Sequence, residues 1–223
     1  MRQEVTSVIA TYRNESSHQA LLAIADNRLK AVKLDVTDDD TITALAERLG
    51  QDLEVPNLVI HAAGILHEGQ LQPEKSLRQC DRVSLQRIFE VNSIGPLLLA
   101  RSVIPRMAKQ KPGQYAVLSA MVGSIGDNRL GGWYGYRASK AAVNQFIRTM
   151  AIETRRTHPE LCISAIHPGT TDTELSRPFQ SNVSDDKLYT TTQSAQRILN
   201  VISSGSPEQS GRFMNWDGNP IPW

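Results

Sequence analysis

Short β-rich runs alternate with helix-length segments along the whole of this chain, and few architectures accept that alternation. Val8–Tyr12, Leu29–Leu34, Leu58–His61, Tyr115–Ser119, Cys162–His167 and Arg212–Trp216 read as strands. Several are nearly uninterrupted apolar runs, the pattern of strands covered on both faces in a parallel sheet. Helices are expected over Ser17–Ala25, from about Thr37 to Leu49, and over roughly Ser84–Lys109, Tyr136–Arg156 and Thr192–Ser203. Thr37 is the expected N-cap of the second, where Asp38, Asp39 and Asp40 complement the positive helix end. The alternation predicts an α/β fold built on an open, doubly wound parallel sheet. The long irregular stretches are Gly123–Gly135 and Gly169–Leu188. Loops beyond the C-terminal strand ends build the ligand site in such a sheet.

Composition narrows the function classes. The 223 residues fit a single domain spanning 1–223. A net charge of +1 offers no electrostatic footprint for nucleic acid or an anionic membrane surface. No apolar stretch approaches the ~20 residues of a membrane span, and no secretory signal is expected at the N-terminus. Cys80 and Cys162 make no disulfide framework, so reduced thiols and a cytoplasmic location are expected. His18, His61, His67, His158 and His167 show no helical pair spacing with a nearby carboxylate, so no metal is expected.

The chemistry centres on Tyr136-Arg-Ala-Ser-Lys140. Tyrosine and lysine four residues apart share one helix face. A neighbouring ammonium favours phenolate and is expected to lower the tyrosine from its usual ~10. Such a phenol exchanges protons with an alcohol or carbonyl oxygen. Other features fall at or beyond C-terminal strand ends: His61-Ala62-Ala63-Gly64, Asn92 ahead of Gly95-Pro96, Ser119, and Pro168-Gly169. Pro96 has no N–H, so the Asn92 carbonyl, four residues earlier, loses its helical partner. That carbonyl is expected to hold a water relaying protons to Lys140; a simple helix kink is the alternative.

On these residues the sequence resembles the short-chain dehydrogenase/reductase family, in its branch of C-factor cell-contact proteins and sniffer-type carbonyl reductases. Further motifs carry the resemblance: Thr11-Tyr-Arg-Asn14, Leu34-Asp-Val-Thr-Asp38, Val91-Asn92, Ser119-Ala-Met-Val-Gly-Ser124 and Gly211-Arg-Phe-Met-Asn-Trp-Asp-Gly218. The resemblance implies a Rossmann-like sheet, a nicotinamide cofactor and hydride transfer to or from a carbonyl carbon. By position, Tyr136 would be the general acid/base, Lys140 would hold the nicotinamide ribose, and Asn92 would anchor the relay water. Asp35 would contact the adenine and Thr173 the carboxamide. Val36, Ala62, Ala63, Gly64, Pro168 and Gly169 would line the cofactor.

Two departures stand out. The family's catalytic serine is the second of a Ser-Ser pair, but the pair here reads Ser119-Ala120. Adjacent strand residues face opposite ways, so Ser119 replaces the missing hydroxyl only if the strand end twists. Ser119 is therefore a catalytic candidate with a strand-end hydroxyl as the alternative reading. The larger departure is that the first glycine is Gly50. A dinucleotide fold needs a glycine-rich turn after its first strand. Val8–Tyr12 matches the family's second strand, so the fold is expected to be N-terminally truncated, without the first βα unit. A mis-assigned start is the favoured account; direct pairing of the second strand with the fourth, or a strand from another chain, are the others.

Arg13, where the family often carries an acid, suggests NADP over NAD, with NAD still possible. Trp133, Tyr134, Met121, Leu175, Phe179 and Leu188 are candidates for an apolar substrate pocket. The expected partner is thus a small-molecule carbonyl or alcohol. The small face Ala138, Ala141, Ala142 suggests a homo-oligomer through the same resemblance. The rival reading is a non-catalytic cell-contact signalling or interaction protein on this scaffold.

Overall fold

The computed structural model describes residues 5–223. Its regular elements run β1 (Val8–Tyr12), α1 (Glu15–Leu22), β2 (Leu29–Lys33), α2 (Asp39–Arg48), β3 (Leu58–His61), α3 (Arg82–Phe89), α4 (Gly95–Val103), β4 (Gly113–Leu118), α5 (Tyr134–Thr154), β5 (Leu161–His167), β6 (Thr170–Thr171), β7 (Leu188–Tyr189), α6 (Thr191–Ser204) and β8 (Arg212–Asn215). Every strand pair is parallel, as the apolar runs require. The chain divides into two compact units.

The first unit runs up to Pro56 and adds Leu98–Met107. Its sheet is the pair β1-β2, in register from Val8↔Leu29 to Tyr12↔Lys33. Asn14 caps α1: its Oδ1 accepts from the Ser17 amide at 2.9 Å, while the Ser17 hydroxyl accepts from the Asn14 amide. The N-cap of α2 is Asp38, whose side chain accepts from the Asp40 amide at 3.0 Å. Thr37, the expected cap, instead donates both its amide and its hydroxyl to Asp35 Oδ1, at 2.9 and 2.8 Å. An Asx turn at Asp35 has captured Thr37 before the helix begins.

The second unit comprises Asn57–Leu97 and Ala108–Trp223. Its four-stranded sheet has the order β3-β4-β5-β8. Ala116, Ile166 and Met214 turn one face of the sheet to Ile198, Val201 and Ile202 of α6. Alternation sends Tyr115, Val117, Ile163, Ala165 and Phe213 to the other face, where α5 lies against β5 and β8. These side chains are almost fully buried. Each contributes about 1.5–3 kcal/mol when an apolar chain of that size leaves water.

Among the described residues β1 pairs with β2 and β3 with β4. β3 is an edge strand, with Leu58 and Ile60 more than a third exposed. The long helix expected over Ser84–Lys109 is broken. It passes from α3 through a π-helical turn at Glu90–Ile94 into α4, then into a 3₁₀ turn at Ile104–Arg106. Pro96 and Pro105 supply no amide for the ladder, and the widened turn accommodates the first of them.

Candidate active site

All of the site's strongest geometry lies within the second unit. α5 carries Tyr136 and Lys140 one turn apart, both buried. The Lys140 ammonium stands 5.8 Å from the centre of the Tyr136 ring, so the expected pair is brought together. Lys140 Nζ donates to the carbonyl of Leu118, the last residue of β4, at 2.8 Å. The phenol is enclosed by Leu66, Leu71 and Ile88, with Ile65, Phe89, Ala120, Val122, Trp133, Leu175 and Phe179 packed around them. The Trp133 ring meets Tyr136 edge-on at 6.2 Å.

The expected lowering of the tyrosine is not what this environment produces. Burial pushes Tyr136 up to about 12, and burial draws Lys140 down to about 8. In an apolar cage the loss of hydration penalises both charged forms. Tyr136 therefore holds its proton at neutral pH.

Asn92, inside the π-turn, ties three elements together. Its Oδ1 accepts from the Ile65 amide at 2.8 Å, and its Nδ2 donates to the Ile65 carbonyl at 2.8 Å and to Ser139 Oγ at 3.1 Å. The loop after β3 is thereby fixed against α5. In that loop Ala62 and Ala63 are exposed and Gly64 half-buried. A Cβ on Gly64 would lie 3.3 Å from Asn92 Oδ1 and 3.4 Å from Lys140 Nζ. Gly64 thus brings the loop backbone up against Asn92 and the ammonium, where a side chain would be tight. Beside it, at the end of β3, His61 is 3 % exposed and burial holds it down at about 4.

Ser119 turns its hydroxyl toward α5. Its hydroxyl donates to Asn144 Oδ1 on α5 at 2.7 Å, whereas Ala120 packs against the cluster around Tyr136. The strand end keeps its alternation without the twist that would have turned Ser119 round. Ser124 accepts from the Asp127 amide and serves its own loop.

Beyond β5, Gly169 adopts φ +79°, and a Cβ there would meet the Tyr189 ring at 2.8 Å. The Pro168-Gly169 turn thus rests on Tyr189, which shares the Arg197 guanidinium with Trp216. The Thr173 hydroxyl donates to the Thr171 carbonyl at 3.4 Å, and its amide donates to Ser176 Oγ. In the first unit, Arg13 follows the end of β1, Asp35 organises the turn before α2 through Oδ1, and Val36 is buried.

Comparison with known proteins decides the family. A family model described as short chain dehydrogenase matches residues 1–184. The chain belongs to the short-chain dehydrogenase family. It is 32% identical over 190 residues to 1-hydroxy-2-glutathionyl-2-methyl-3-butene dehydrogenase of Rhodococcus sp. (strain AD45), covering 85% of this chain and 78% of that one. It is also 32% identical over 149 residues to C-signal of Myxococcus xanthus, covering 66% of this chain and 84% of that protein. Among solved structures, an NADPH-bound carbonyl reductase from chicken fatty liver superposes with a TM-score of 0.84 at 29% identity, over 98% of this chain and 88% of that one.

One residue of consequence carried no signal in the sequence. Glu74 lies in the loop after β3, is 5 % exposed, and accepts the Gly135 amide at the start of α5. A glutamate between a proline and a lysine reads as a surface residue, because its partner is a backbone amide 61 positions away.

Proposed function

We propose that this chain is an NADP(H)-dependent carbonyl reductase in which Tyr136 delivers the proton to the carbonyl oxygen. The observation that carries the reading is a phenol buried in an apolar cage, with the Lys140 ammonium 5.8 Å from its ring. Burial pushes Tyr136 up to about 12, so at neutral pH it carries the proton that a carbonyl oxygen would receive. When bound, the nicotinamide supplies the hydride that reduces the carbonyl carbon, while the Tyr136 O–H proton goes to the oxygen.

Lys140, whose ammonium stands beside the Gly64 backbone, is proposed as the donor to the hydroxyls of the nicotinamide ribose. Ala62, Ala63, Pro168, Gly169 and Thr173 are the further residues proposed to line the cofactor, with Asp35 and Val36 for the adenine and Arg13 for a 2′-phosphate. Asn92 acts through structure, holding Ile65 and Ser139, and its carbonyl is the proposed anchor of a proton-relay water. Ser119 is assigned to bracing Asn144 and not to the reaction.

Trp133 and Phe179 of the Tyr136 cluster also border a cavity of about 530 Å³ whose other walls are mostly polar and charged, Gln70, Gln72, Lys75 and Asp81 among them. This cavity is the proposed approach of a carbonyl substrate to Tyr136.

Ala120 in place of the serine hydroxyl favours the second reading, a contact-signalling protein without turnover. Fluorescence titration with NADPH followed by a turnover assay on 4-nitrobenzaldehyde separates the two. NADPH binding with aldehyde-dependent oxidation supports the reductase; no binding at millimolar NADPH removes it.

A further inference from the structure

The first turn of α5 has no cap of its own. The N-cap position is Trp133, which sits at φ +52°, ψ +44° and offers no side-chain acceptor to the helix. Left-handed backbone is uncommon for a bulky residue and persists only where neighbours impose it. Glu74 supplies what is missing. Its backbone carbonyl accepts the Trp133 amide, and both carboxylate oxygens accept the Gly135 amide, at 3.3 and 3.1 Å. A second fastening comes from Arg137, whose Nε donates to the carbonyls of Gly131 and Gly132 at 3.2 and 3.1 Å.

The approach is close. A Cβ on Gly135 would lie 2.9 Å from Glu74 Oε1 and 3.1 Å from both Ile88 and Leu85. Gly135 is therefore held closely between the Glu74 carboxylate and α3. The next residue along α5 is Tyr136.

We propose that Glu74 is a positioning residue for Tyr136: from outside the helix, it clamps the amide preceding the proton donor and so fixes where the phenol stands. This rests on the reading of Tyr136 as proton donor. A carboxylate at a helix N-terminus also opposes the exposed amides electrostatically, so the clamp is both geometric and charged. Misplacement of a reacting group by an ångström lowers turnover steeply, while a cofactor bound elsewhere is little affected.

The test compares Glu74→Ala, Glu74→Gln and Glu74→Asp by amide hydrogen exchange, NADPH fluorescence titration, and steady-state reduction of 4-nitrobenzaldehyde. In E74A the Gly135 and Tyr136 amides should exchange at least about ten-fold faster than in the wild type. Its kcat should fall about ten- to a hundred-fold with KM and the NADPH Kd within about two-fold. E74Q keeps an oxygen acceptor for the Gly135 amide and should recover most of both protection and kcat. E74D, one methylene short, should lose kcat as E74A does, and decides the matter should E74A fail to fold. Wild-type exchange and kcat in E74A or E74D, or E74Q as impaired as E74A, would overturn the proposal. Should the unaltered chain bind NADPH but leave the aldehyde untouched, the reductase reading falls and hydrogen exchange alone judges the clamp.

Discussion

Lys140 Nζ points away from α5 to the carbonyl of Leu118, 2.8 Å distant, so one ammonium joins the catalytic helix to the end of the strand beneath it. Burial draws that ammonium down to about 8. Below that pH the proposed ribose donor is charged, and above it the group becomes a neutral amine. NADPH affinity should therefore weaken by about three- to ten-fold between pH 7 and pH 9. Fluorescence titration across that range checks it, and a flat profile would exclude Lys140 as the controlling group.

Tyr136→Phe keeps the ring that fills the cage and removes only the hydroxyl. Turnover should drop by roughly 10²–10⁴-fold with the NADPH Kd nearly unchanged. Turnover retained by the phenylalanine variant would take the proton transfer away from this residue.

The Ser119–Asn144 contact separates bracing from chemistry. Ser119→Ala leaves a buried amide oxygen without its donor, which should cost about 1–3 kcal/mol of stability. Its kcat should change by less than about three-fold, since the hydroxyl faces Asn144 and not Tyr136. Ala120→Ser, by contrast, places a hydroxyl in the Tyr136 cluster and should raise kcat. A collapse of kcat in S119A with stability intact would reverse these assignments.

His61 makes the fold acid-sensitive. Burial, assisted by the Lys140 charge, lowers it from 6.5 to about 4. Between those pH values the unfolded chain binds the proton and the folded chain does not, so stability falls as pH drops from about 6.5 to about 4. The loss from this one group is up to roughly 3 kcal/mol. Urea denaturation at pH 7 and pH 4.5 should show it, and His61→Asn should flatten the difference. An equal acid loss in the variant would assign the effect elsewhere.

Arg13 tests the choice of dinucleotide. If its guanidinium receives a 2′-phosphate, Arg13→Ala should raise the NADPH Kd about ten-fold and leave NADH within about two-fold. Equal weakening of both, or of neither, would remove it from cofactor selection.

The parts of the fold written in local pattern were readable. Val8–Tyr12 and Leu58–His61 form strands at their expected bounds, since apolar β-rich runs between turn residues leave little choice. The helix bearing Tyr136 and Lys140 was legible from spacing, and so was their meeting. What depends on distant partners was not. The charge state of Tyr136 follows from Leu66, Leu71 and Ile88 closing over it, which no spacing within α5 reveals. Trp133 is forced left-handed by the Glu74 carbonyl, and Thr37 is drawn from the helix cap by Asp35. Periodicity carried the expected helix straight through Pro96, because a π-turn differs from an α-turn by one residue only.

That one residue is absorbed by a single widened turn. Deleting a position within Glu90–Ile94 would restore an ordinary helix and withdraw the bulge that carries Asn92. Asn92 would then lose simultaneous reach of Ile65 and Ser139. Designers grafting this site onto another scaffold must copy the insertion along with the side chains.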